Sequence, residues 1–258
     1  MSDQYEDITF KEIGRKKKVR KKKHYLLRLT IFVGIVAAVG LFLSSGLFDV
    51  KEINVEGNIY YSDDEVITLA GAKTGVNLFY GVGDSEIKDK LSKDPYFAEV
   101  HIKRKLPSAI TIEVEERRQT AAIVYGDNYV IIDKVGTVLR KSDIDPKITL
   151  LTGLTISKMN VGDQVKIEEA STLNTTLQMI DSMEEGDFYF KKIDVSGIVI
   201  RAYIYDTLLV KGTAKQMMQA IETGNLQKVI NNLLENETVR GTVSLGDHGY
   251  MSFSPDFA

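Results

Sequence analysis

Apolar and polar positions fall into distinct regimes along this chain. From Leu29 to Phe48 the run is apolar and carries no charged residue. Twenty residues in a helix span about 30 Å, the thickness of a bilayer's hydrocarbon core, so residues 29–48 predict one membrane-spanning helix. After Asp49 the period shortens. Val50–Val55 reads as a strand with Ile53 and Val55 on one face, closed by the turn residues Gly57-Asn58. Ser62 and Glu65 have the spacing of a capping box, and a short helix through Val66, Leu69 and Ala70 should follow, ending at Gly71. A second helix starts near Asp84 or Ser85, turns Ile87 and Leu91 inward and ends at Asp94-Pro95. Two alternating runs come next. One has Val100, Ile102 and Leu106 on its apolar side, and the other has Ile110, Ile112 and Val114, with Pro107 in the turn between. The predicted order over 49–118 is β-α-α-β-β, a sheet that needs a helical cover on one face only.

Residues 119–258 predict a second, larger sheet region. Ala121–Tyr125 and Tyr129–Asp133 pair around Gly126-Asp127-Asn128, and Thr137–Leu139 follows Gly136. After the Leu150–Leu154 segment and a turn at Val161-Gly162-Asp163, Ile167–Glu185 suits a helix with Ala170, Leu173, Leu177, Ile180 and Met183 inside. Strands are expected over Phe188–Val195, Gly197–Tyr205 and Thr207–Lys211. Thr213 then caps a helix with Met217, Ile221, Val229 and Leu233 on its inner face, broken or kinked at Gly224-Asn225. Two last strands, Thr238–Leu245 and Tyr250–Phe253, flank the turn Gly246–Gly249. The fold class is α+β, with a mixed antiparallel sheet and helices in the second part.

The β-α-α-β-β segment resembles the POTRA module of the FtsQ/DivIB family of cell-division proteins. The residues that carry the likeness are Val55-Glu56-Gly57-Asn58, then Gly75 with Asn77-Leu78-Phe79, and Pro95 with Phe97. The most specific stretch is Val100-x-Ile102-x-Arg104-x-Leu106-Pro107, running on through Ile110, Ile112 and Val114 to Glu116-Arg117. Gln119 stands near a position where that family often has Pro, and Gly246 where an aromatic or polar residue is frequent. The resemblance implies four parts: a basic cytoplasmic tail (1–28), a transmembrane helix (29–48), a POTRA-like domain (49–118) and a β domain (119–258).

Charge sets the expected topology. Residues 1–28 hold ten Lys/Arg against four Asp/Glu, while residues 49–258 hold 23 against 32. Arg15, Lys16, Lys17, Lys18, Arg20, Lys21, Lys22 and Lys23 lie just before the apolar run. Loops this rich in Lys and Arg resist translocation, so the tail stays cytoplasmic and the bulk of the chain lies outside the cell membrane. A cleaved signal sequence is the alternative reading of such a start. The apolar run exceeds the roughly 7–15 residues usual in a signal's core, which favours a retained anchor. The acidic outer part argues against nucleic acid as a partner. With no Cys in the chain, burial of apolar surface has to hold the fold.

No assembled chemistry is legible. His24, His101 and His248 are dispersed, acidic pairs sit where capping or solvation accounts for them, and no nucleophile or metal-ligand spacing emerges. The expectation is therefore a binding protein and not an enzyme, with no cofactor. The terminal strand carries the candidate site. A sheet edge has unpaired amides and carbonyls that invite a partner strand. In the family, the resemblance implies, the last strands bind a small bitopic coiled-coil division protein of the FtsB/DivIC and FtsL type, and so help position septal peptidoglycan synthases. The matching positions are Val243, Ser244 and Leu245 with Tyr250, Met251, Ser252 and Phe253. Enrichment at the division septum goes with that role. A POTRA-bearing chaperone or translocation component, or a membrane-anchored cell-wall enzyme, are the competing readings.

Overall fold

With no charged side chain between Leu29 and Phe48, nothing interrupts a helix over Tyr25–Leu43 (α1). Beyond Arg28 in its first turn it is apolar all round, it is long enough to cross a membrane, and none of its side chains is buried. The computed structural model describes residues 24–185 and 189–256. It divides into two compact units, Met1–Ser45 and Gly46–Ala258. The helix starts earlier and ends sooner than the apolar run. Gly46–Phe48 instead form a 3-10 turn in the second unit, where Phe48 is buried with its ring 5.3 Å from that of Phe79.

A three-stranded sheet comes first, built from Glu52–Glu56 (β1), Phe97–Lys105 (β2) and Ala109–Glu116 (β3) in the order β1-β3-β2. β1 runs parallel to β3, and β2 antiparallel to it. Asp63–Ala70 (α2) and Asp84–Leu91 (α3) cover one face, burying Val66, Ala70, Ile87 and Leu91 against Phe97, Ile112 and Val114. The capping box of α2 forms as its spacing predicts. Ser62 Oγ accepts from the Glu65 N–H at 3.4 Å, and the Glu65 carboxylate accepts from the Ser62 N–H at 2.9 Å. Leu106 departs from the inward pattern. It lies past the end of β2 at the hairpin tip and is 66% exposed.

The remaining strands form one sheet. They are Ala121–Tyr125 (β4), Asn128–Ile132 (β5), Val138–Ser142 (β6), Thr149–Thr152 (β7), Lys192–Asp194 (β10), Ile200–Tyr205 (β11), Leu208–Gly212 (β12), Gly241–Leu245 (β13) and Met251–Ser254 (β14). A separate small ribbon pairs Ile156–Lys158 (β8) with Lys166–Ile167 (β9). The nine-stranded order is β14-β13-β12-β11-β10-β7-β4-β5-β6, and the β4–β7, β7–β10 and β12–β13 pairs are parallel. Those parallel pairs require crossovers rather than hairpins. Helix Ala170–Glu185 (α4) lies on the crossover from β7 to β10, and Ala214–Glu222 (α5) with Asn225–Glu235 (α6) on that from β12 to β13. All three pack on one face, where Leu173, Leu177, Ile180, Met217, Leu226 and Ile230 meet Ile123, Leu151, Ile193, Ala202 and Val243.

Two local readings shift, the start of α4 and the inner face of α6, while the expected break at Gly224 forms. α4 begins at Ala170, not Ile167, because Lys166–Ile167 pair with Ile156–Lys158, and Ala170 is exposed. The helix after Thr213 is two helices separated by Gly224, whose φ of 67° is left-handed. That break resets the helical phase, so Leu226 and Ile230 are the buried residues of α6, while Val229 and Leu233 are half-buried.

The other face of the nine-stranded sheet is closed near β6 by aromatic residues from the first module. Tyr96 joins Ala122, Ile131 and Leu139 in a buried cluster, with Tyr61 packed against it. Tyr60 stacks on Tyr96 at 4.3 Å between centroids, and the Gln119 side chain donates to the Tyr96 hydroxyl at 2.9 Å. Burial, reinforced by the nearby Tyr60, pushes the Tyr96 hydroxyl up to about 12. Glu116 fixes the loop that carries these rings, since its carboxylate accepts from the N–H groups of Ile59, Tyr60 and Tyr61. Asp133, which follows β5, is almost wholly buried. Its Oδ1 accepts from the N–H groups of Val135 (3.0 Å) and Thr137 (2.7 Å), and Oδ2 lies 3.7 Å from Nε of Arg117.

Candidate functional site

The terminal hairpin is built from β13 and β14. Its register sets Leu245 opposite Met251, Ser244 opposite Ser252, Val243 opposite Phe253 and Thr242 opposite Ser254, with no bulge. Gly246 N–H donates to the Tyr250 carbonyl at 2.8 Å. In an antiparallel ladder bonded and non-bonded pairs alternate, so Ser244–Ser252 and Thr242–Ser254 are the pairs that exchange hydrogen bonds. Met251 and Phe253 therefore aim their N–H and C=O groups away from β13, into the space beyond the sheet. Their side chains point to the helix-covered face, where both are half-buried against the core. Ser252 and Ser254 face solvent on the opposite side.

The seven sequence-predicted positions thus come together but differ in surroundings. Val243 is fully buried, Ser244 and Leu245 are half-buried, and Tyr250 is 69% exposed. Gly241 positions the pair. At its φ of 134°, a Cβ would sit 2.6 Å from both the Phe253 ring and the Ser254 carbonyl oxygen, so only glycine lets β14 lie this close. The turn is tied down from α5. Thr213 caps that helix in a second capping box with Gln216, and the Gln216 amide also donates to Asp247 Oδ1 at 3.0 Å. His248 takes the left-handed φ of 56° at the turn's tip. Between α5 and the hairpin a groove of about 110 Å³ opens, lined among others by Gln219, Thr223, His248, Tyr250 and Met251.

The opposite edge of the sheet is finished differently. Val138, which opens β6, donates to the Asp163 carbonyl at 2.9 Å and accepts from the Gly162 N–H at 2.8 Å. The β5–β6 register slips by one residue between Ile131 and Ile132, and β6 carries Arg140 and Lys141. A covering loop, a bulge and charges are the usual means of blunting an edge. Over Met251–Ser254 the residues are uncharged and the register is regular.

No group of three His, Cys, Asp or Glu side chains that could hold a metal ion occurs among the described residues. The basic positions from Arg15 to Lys23 lie outside the described residues.

Comparison with known proteins gives consistent results. Residues 48–117 match the model of the POTRA domain, FtsQ-type. The cell division protein DivIB of Clostridium acetobutylicum is 31% identical over 209 residues, covering 76% of this chain and 82% of that protein. A Clostridium botulinum DivIB is 27% identical over 248 residues, 94% of each chain. A cell division protein FtsQ from a Geobacter species is 33% identical over 140 residues, 53% of this chain and 48% of that one.

Proposed function

Because this chain belongs to the DivIB/FtsQ family of cell division proteins, we propose that it is a single-pass membrane scaffold of the division machinery that holds its partner by strand addition at β14. The partner is a small bitopic coiled-coil division protein of the FtsB/DivIC and FtsL type, and through it septal peptidoglycan synthases are positioned indirectly. Such a protein works at the division septum with its basic tail in the cytoplasm. It needs no catalytic group. Confinement to one membrane raises the local concentration of partners, and the edge contact supplies specificity.

One observation carries this reading. Of the two edges of the nine-stranded sheet, the β14 edge has neither bulge nor charge, and it directs the backbone groups of Met251 and Phe253 outward. Main-chain hydrogen bonds to those groups would give affinity, while the groove beside Met251 and the exposed ring of Tyr250 would select side chains.

The test is co-purification of the intact protein with the coiled-coil pair, comparing wild type with Met251→Pro. Proline there removes an outward donor and leaves the β13–β14 bonds in place. Tyr250 before it already has extended angles (φ −65°, ψ 135°) that a following proline tolerates. Loss of one hydrogen bond together with the ring's bulk should weaken capture by about tenfold or more. Circular dichroism must show that the variant is folded. A folded Met251→Pro that captures the pair like wild type would sink strand addition at this edge.

A further inference from the structure

Four large apolar side chains stand exposed at one end of the three-stranded module. They are Leu47 (51%), Phe79 (36%), Tyr80 (64%) and Leu106 (66%). They come from three segments that hydrogen bonds hold together. The Phe48 carbonyl accepts from the Leu78 N–H at 2.8 Å, which sets the 3-10 turn carrying Leu47 against the turn carrying Phe79 and Tyr80. Asn77 Oδ1 accepts from the N–H groups of Phe79 (3.0 Å) and Tyr80 (3.3 Å) and fixes that second turn. Arg104 Nε donates to the Leu78 carbonyl at 2.8 Å, tying it to β2 two residues before Leu106. Lys51 donates its N–H to the Ser108 carbonyl at 2.8 Å, which brings the β2–β3 hairpin tip to the same end, and the Lys51 side chain is exposed there.

Exposed apolar residues scattered singly need no explanation. These are grouped, and they surround the point where the chain enters the module. Phe48 follows the last residue of α1, Leu43, by five positions, so a fully extended chain allows at most about 18 Å between them. Leu, Phe and Tyr with a flanking Lys is the composition found at a bilayer's interfacial zone, where rings sit among headgroups and lysine reaches their phosphates.

We propose that this rim, formed by Leu47, Phe79, Tyr80 and Leu106, rests in the interfacial layer of the membrane that α1 spans. Its occupant is a lipid surface, and the contact is separate from the strand-addition edge at β14.

The chain contains no Trp, so one introduced tryptophan is an unambiguous reporter. Full-length Tyr80→Trp and Leu106→Trp proteins are reconstituted in phosphatidylcholine–phosphatidylglycerol vesicles, with and without bromine on the acyl chains. Tyr205→Trp, replacing a 47% exposed residue of β11, is the control. Bromine should quench the reporters at 80 and 106 at least twofold more than the one at 205. Quenching at either position no greater than at 205 overturns the proposal. Since both replacements are at exposed positions, circular dichroism and an unchanged unfolding midpoint serve to show that the fold is intact. A Tyr80→Ser change in the Leu106→Trp background gives a second reading: quenching at 106 should fall, and if it does not the rim does not act as one surface. The proposal rests on α1 spanning a membrane, as in the proposed function, but neither measurement uses the coiled-coil partner, so failure here leaves strand addition at β14 untouched, and loss of capture there leaves the rim untouched.

Discussion

At one end of the nine-stranded sheet, loop residues 162–163 take both outward backbone groups of Val138, and the tyrosine cluster closes the adjoining face over Ile131 and Leu139. At the other end, β14 is a four-residue strand whose Met251 and Phe253 are only half-buried and whose outer backbone groups point away from β13. The same kind of strand is finished in opposite ways. The first end has the burial of a structural element, and the second has what a docking element needs: a regular ladder, little charge and few contacts to break. Stability and recognition should therefore separate between the two ends.

The largest effect expected is at the closed end. Ile131→Ala removes a fully buried side chain from beneath Tyr96 and should cost about 3 kcal/mol in urea unfolding, while the folded fraction still captures the coiled-coil pair. If capture fell in proportion, the two ends would not be independent. Gly241→Ala should cost somewhat less, about 2 kcal/mol, because the added Cβ meets Phe253 and Ser254 at a left-handed backbone position. Here capture should fall far more than stability, since β14 itself is displaced. Shortening Phe253 to Ala in the Gly241→Ala background relieves the ring contact and should recover part of the stability but not the capture.

Alkaline titration offers a milder test of the closed end. The Tyr96 hydroxyl is raised to about 12 from an ordinary value near 10, and that of Tyr61 is raised as well, by burial and by its hydrogen bond to Asp94. A folded-state pKa above the unfolded one means the stabilisation is complete below pH 10 and is lost as pH rises towards 12 and beyond. Tyrosinate absorbance should show a late-ionising component that shrinks in Tyr96→Phe. An unchanged curve would mean that this ring is not sealed. The smallest change in stability is expected at the open end, where Tyr250→Ala should alter unfolding by no more than about 0.5 kcal/mol because the ring is largely exposed. Any loss of capture would then report recognition alone. Full capture would show that the backbone edge, without that ring, carries the contact.

Much of this contrast lies in how far each feature depends on distant residues. Helix caps are local, and both Ser62–Glu65 and Thr213–Gln216 could be anticipated within four residues of sequence. The alternation of Ile110, Ile112 and Val114 is equally local and locates their inward face. Leu106 obeys the same alternation yet is exposed, because period alone does not say where the ladder stops and the turn begins. Asp133 gave no sign of its burial, since its partners are a following turn and an arginine from β3's far end.

The sequence by itself determined the apolar helix, the basic segment before it, the β-α-α-β-β order and the existence of a terminal hairpin. Each depends on residue type over a few consecutive positions, through transfer free energy, side-chain period and capping. Only the tertiary structure decided that β4, β7 and β10 lie side by side as parallel neighbours, that β14 ends the sheet while β6 is covered, and that Met251 and Phe253 rather than Ser252 direct backbone groups outward. Strand neighbours are chosen by how crossovers pack the helices onto one face. The outward parity of an edge strand follows from the ladder register with its neighbour, which no stretch of residues specifies alone.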